Sequence, residues 1–234
     1  MDEQNFNVYS WSSGIPLCDD VWLGMQLRNI AIVDFGFIRP IEREAIARFV
    51  ANDKIGMDVL IPLSAISQMW VFSLYEFLRT WRQRADLIIK VSDKYDALPD
   101  RDRAEYLAAE VAKAEGRESF VKRAPTFVSE QVGCISQAGF ADGVRAYKEH
   151  TEGLFRSIES LRVTLAKHEV PKTKGFAAEA PGYGRVDMLT GSMYWHFATK
   201  EGYLDRVDRR EVANAFYGLP SEHADFEDDD LPEA

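Results

Sequence analysis

The sequence predicts a mainly α protein, a helical bundle around two long helices, with a small C-terminal β-hairpin. Three observations predict it. Leu63, Ile66, Trp70, Leu74, Phe77, Trp81, Ile88, Val91 and Tyr95 recur mostly three or four residues apart, the apolar stripe of an amphipathic helix. Val144, Tyr147, Thr151, Leu154, Ile158, Leu161, Leu165 and His168 alternate steps of three and four, a seam along which one helix packs lengthwise on others. Beyond Pro171 that periodicity stops, and Thr190-Gly191 separates two short runs with strand character.

Taken in order, residues 1–60 form an N-terminal extension. Ser12-Ser13-Gly14 and Pro16 mark a turn. Val21 to Ile38 is strongly apolar, and Ile30 to Ile38 reads as either a strand or a buried helix that Pro40 ends. Ile41, Ala45, Ile46 and Phe49 resume a helical spacing. The helical core spans 62–170. Pro62 suits a first helical turn, where its missing N–H costs nothing, and Pro99 stops that helix. Met69, Phe72, Tyr75 and Leu78 widen its stripe, which predicts an enclosed N-terminal half. Asp100 can cap a helix with its body at Arg103 to Glu115, ending near Gly116. A short helix fits Phe127 to Ile135, and the seam helix follows as far as Pro171.

Lys172 to Gly184 is rich in Gly, Pro and Ala and reads as a loop. Residues 183–199 form the hairpin, with Met193, Trp195 and Phe197 on its inner face and Tyr194 and His196 on its outer one. A last helix covers about Arg206 to Tyr217. Residues 1–220 thus read as one domain, and 221–234 as an acidic, solvated tail with seven acids and no Lys or Arg.

Composition bounds the function. The 234 residues are 46% hydrophobic and 28% charged, with a net charge of −10, ordinary values for a globular chain. Cys18 and Cys134 lie far apart, with no CxxC, which fits a reducing, cytoplasmic setting. The start, Met1 to Asn5, has neither the basic residues nor the apolar stretch of a signal peptide. Val59 to Tyr75 carries no charge, but it sits at the short end of the roughly 17–25 residues that span a bilayer. Three serines and Gln68 interrupt it, so it reads as a buried helix and the protein as one without a membrane partner.

The sequence holds no GxxxxGK[ST], HExxH, GxSxG or Glu-x-x-His pattern, and its four histidines are scattered. No metal or cofactor is expected. Trp70, Tyr75, Phe77 and Trp81 read as core, and Arg79, Arg82 and Arg84 as a solvated face. Arg162 stands six residues before His168 near a helix end, and Arg145 five before His150. The first pair has the better setting, because six basic residues face three acidic ones from Arg156 to Arg185, a local field that suits phosphate.

An arginine closely preceding a histidine at the end of a bundle helix resembles the HEPN superfamily. The resemblance implies a dimeric, metal-independent RNase or RNA-binding protein of a bacterial toxin or defence system. In it His168 moves the proton, since an imidazole titrates near neutrality. Arg162 holds the phosphate, and Lys167, Lys172 and Lys174 contact the RNA backbone. At 100° per residue Arg162 and His168 lie about 120° apart around one helix, so a shared site calls for a second helix or a second protomer. The other reading is a non-enzymatic helical interaction or scaffold protein that dimerises or binds a protein partner, its seam serving as core or interface.

Overall fold

The computed structural model describes residues 6–118, 127–166, 184–198 and 204–219, and the chain is mainly α with a small antiparallel sheet near its C-terminus. The helices are α1 (Val8–Ser13), α2 (Val21–Val33), α3 (Arg39–Asn52), α4 (Met57–Asp96), α5 (Asp100–Glu118), α6 (Phe127–Gly133), α7 (Phe140–His150), α8 (Glu152–Ala166) and α9 (Arg209–Tyr217). The strands are β1 (Gly184–Val186), β2 (Met193–Ala198) and β3 (Leu204–Asp208), paired in that order. The described residues group into two compact units, and α2 and α4 each contribute residues to both.

The first unit holds Gln26–Leu78 and Thr151–Leu219. Its core contains Leu27, Ile30, Leu63, Trp70, Leu74, Ile158, Leu161, Trp195 and Phe216, all buried. Each such side chain contributes about 1.5–3 kcal/mol relative to exposure. The Trp70 indole N–H donates to the Ile30 carbonyl at 3.0 Å, so the core's largest ring is also satisfied.

Pro40 does not end the first apolar run. It lies in the first turn of α3, and a π-helical segment over Asp34–Ile38 joins α2 to α3 without a break. The Arg39 N–H reaches back five residues to the Asp34 carbonyl. The wider turn takes up one extra residue just where proline removes a helical donor, which resolves Ile30 to Ile38 as helix rather than strand.

The second unit holds Tyr9–Met25 and Arg79–His150. Asp20 caps α2 by accepting from the backbone N–H groups of Trp22 and Leu23 at 2.7 and 3.3 Å. The Trp81 indole donates to the Pro16 carbonyl at 2.7 Å and meets Tyr147 edge-on, with ring centroids 5.0 Å apart. Arg84 is not a solvated residue. It bonds Asp20 at 3.0 Å and the Gln131 side-chain oxygen at 2.9 Å, and the Gln131 amide donates to the Leu17 carbonyl.

Other expectations need correction. The α4 stripe is buried at Leu63, Trp70, Leu74, Phe77, Trp81, Ile88 and Val91, but the helix starts at Met57 and Pro62 sits inside it. Its N-terminal half is not enclosed: Met57, Ile61 and Met69 are all more than 60% exposed. The seam helix is two helices that break at the buried Thr151, where a β-branched residue and Gly153 both weaken the helix. Val144 and Tyr147 are core of the second unit, and Ile158 and Leu161 core of the first. The hairpin gains a third strand, because Asp208 caps α9 and leaves Arg206 and Val207 extended. Both α4 and the stretch Val21–Asn52 are long and apolar enough to cross a membrane, although each also carries core residues.

Candidate functional site

The strongest candidate lies in the first unit, where the β1–β2 turn stands beside a cavity. Val186 pairs with Met193, and the six residues 187–192 connect them. Met193 and Trp195 face the core as alternation requires, and Tyr194 and His196 face outward. Phe197's side chain lies outside the described residues.

Asp187 organises the turn. One carboxylate oxygen accepts from the Leu189 N–H at 2.8 Å, the Thr190 N–H at 3.0 Å and the Thr190 hydroxyl at 3.3 Å. The other accepts from Arg206 of β3 at 2.6 Å. The Gly191 N–H closes the loop on the Asp187 carbonyl at 2.8 Å. The Arg206 guanidinium holds the Asp187 carboxyl below its ordinary pKa, against the opposing effect of burial. Arg206 also lies 4.0 Å over the Tyr194 ring, which fixes the guanidinium from its other side.

Gly191 seats the turn on the body. Its φ is +74°, and an added Cβ would lie 2.2 Å from the Glu42 carbonyl oxygen. A side chain is excluded there by both conformation and space.

Beneath Gly191 lies a buried ionic cluster. Asp34, Glu42 and Arg209 are fully buried and Arg39 nearly so. Arg209 donates twice to one Glu42 oxygen, at 2.6 and 3.0 Å, and also to Asp34. Arg210 bonds the other Glu42 oxygen. Arg39 bonds Asp34 at 3.1 Å and lies 4.1 Å over Phe35. Each carboxylate thus meets two guanidiniums, the arrangement that makes buried charge tolerable. Arg209 also stands 5.3 Å over Trp70. The π segment carries Asp34, α3 carries Arg39 and Glu42, and α9 carries Arg209 and Arg210, so the cluster pins α9 and the turn to the first helices.

On its outer side the turn presents apolar surface. Leu189 is 91% exposed and Met188 48%. Beside it opens a cavity of about 1050 Å³, walled by Leu60, Ile61, Ala65, Val186, Met188 and Met193. Asp53, Lys54 and Arg185 stand at the same cavity. Among the described residues none of these three has an ion-pair partner.

Of the predicted site residues, Arg162 alone is described; His168, Lys167, Lys172 and Lys174 lie outside the described residues. Arg162 is half-buried in α8, 5.1 Å over the Tyr75 ring, which stacks on Phe155. It does not pair with Glu159, nor with any other carboxylate among the described residues. Val163, where the resemblance calls for a polar residue, is 7% exposed and belongs to the core. Arg145 is neutralised by Asp93 and Asp142, and the His150 ring bonds the Ala146 carbonyl. Among the described residues no three His, Cys, Asp or Glu side chains gather to hold a metal ion.

The chain matches no protein-family model, no curated protein and no solved structure. What the site can do follows from its own residues.

Proposed function

We propose that this chain is a non-enzymatic interaction protein that docks on a protein partner through the β1–β2 turn and the adjoining cavity. The observation that carries this reading is a rigid turn displaying a nearly bare leucine. An exposed apolar residue on a loose loop is ordinary. Leu189 instead tops a turn held by the hydrogen bonds of Asp187 and seated by Gly191 against Glu42. An anchor already fixed in place loses little conformational entropy on binding, and such anchors dominate interface energetics. The test is a photo-cross-linking residue at position 189, with exposed position 113 as control. The expected result is a discrete protein adduct from 189 alone. Equal labelling from both positions, or none from either, overturns the reading.

A second reading keeps the arginine–histidine pair as a metal-independent RNase or RNA-binding site. One observation favours it. The Arg162 guanidinium lies over Tyr75 with no carboxylate partner among the described residues, so its donors are open to a phosphate. Wild type, Arg162→Ala and His168→Ala are incubated with mixed RNA in EDTA. Cleavage and RNA binding that survive both substitutions, or are missing from all three proteins, reject this reading.

A further inference from the structure

Resting on the interaction reading, we infer that the partner at the β1–β2 turn is a second copy of this chain. In this two-fold dimer each Leu189 enters the other protomer's cavity. A two-fold interface requires one patch that complements itself. The first unit supplies both halves of such a patch side by side. Met188 lines the cavity, and the next residue, Leu189, projects from the turn as a knob. The hollow beside it, about 1050 Å³ with apolar walls, is large enough for a leucine and its flanking turn.

Charge points the same way. The cavity carries Asp53 together with Lys54 and Arg185, none with an ion-pair partner among the described residues. A two-fold operation sets the carboxylate of one copy against the cations of the other, twice over. A partner of one charge sign would satisfy half of this set and oppose the rest. The turn on which the knob stands is fixed by Asp187 and Arg206, so closure needs no remodelling of the hairpin.

The experiment is sedimentation equilibrium of the purified full-length chain from about 1 to 100 μM. The expected mass for wild type is twice the 26.6 kDa of one chain. Leu189→Asp and Ile61→Asp, at positions 91% and 61% exposed, should remain folded by circular dichroism and weaken the dimer at least thirty-fold. Asp53→Arg alone and Arg185→Asp alone should each weaken it roughly ten-fold, since each sets like charges together. Mixing these two variants should restore association to within about three-fold of wild type, because both pairs regain opposite signs.

A monomeric wild type at 100 μM overturns the dimer. So does a wild-type dimer that Leu189→Asp leaves intact, or a charge-variant mixture no tighter than its components. A cross-link from position 189 to a different protein, with a monomeric wild type, would reject the second copy and keep the interaction reading. A dimer insensitive to Leu189→Asp, with no adduct from 189, would reject both.

Discussion

At the scale of single residues, Arg209 has the heaviest structural duty in the first unit. It is fully buried, and its charge is shared between Asp34 and Glu42. Taking one partner from a buried ionic group leaves uncompensated charge, at about 3–5 kcal/mol. Arg209→Ala should fall near the lower end, because Arg39 still meets Asp34 and Arg210 still meets Glu42. Urea unfolding measures this; a midpoint equal to wild type would show the cluster to be energetically idle. Nothing in the sequence singles out Arg209. Its carboxylate partners lie 167 and 175 residues away, so their approach is a property of the tertiary fold. The weak local hint is Asp34, a charge within the apolar run Ile30 to Ile38. Leu189 was equally silent, since neither its type nor its neighbours distinguish an exposed leucine from a buried one.

At the scale of elements, the β1–β2 turn should respond to acid. The Asp187 carboxyl is held below its ordinary value of 3.8, chiefly by Arg206. A depressed carboxylate stabilises the fold above the unfolded-state value, and that contribution is lost as pH falls through the lower folded value. The turn should therefore be unchanged from pH 7 to pH 5 and loosen only below 3.8. NMR titration of the Leu189 and Thr190 amides should give a midpoint below 3.8, which Asp187→Asn abolishes; a midpoint above 4 contradicts the lock. Elements with a one-sided environment were the legible ones. The α4 stripe and the Met193/Trp195 face follow from periodicity, because burial repeats with the backbone. The broken seam misled for the same reason: Val144 and Ile158 keep one spacing while serving the cores of different units. The Arg162/His168 pattern stayed half visible, with Arg162 placed over Tyr75 and His168 outside the described residues.

At the scale of the whole molecule, each unit buries a tyrosine whose ionisation opposes folding. Burial raises the Tyr147 phenol in the second unit, and its hydroxyl has no hydrogen-bond partner among the described residues. Burial and then the neighbouring Asp34 raise Tyr217 in the first. A group whose folded pKa is raised contributes stability that is complete below its unfolded value, about 10 for tyrosine, and declines as pH rises beyond it. Both units should weaken above pH 10. Absorbance at 295 nm should show part of the 9 tyrosines ionising only with unfolding. Tyr147→Phe should make the second unit more alkali-resistant, and a gradual titration of all nine in the folded protein would contradict this.

The π segment also bears on how this chain can vary by descent. Its extra residue sets Asp34, Arg39 and Glu42 in phase to meet one another and α9. Deleting Gly36 would turn everything after it by about 100° relative to Asp34, and no side-chain rotamer recovers such an angle. Length and charge in this helix are therefore inherited together. A relative one residue shorter here should also have given up the acids at 34 and 42 and the arginine at 209, and one that kept all three should retain the insertion.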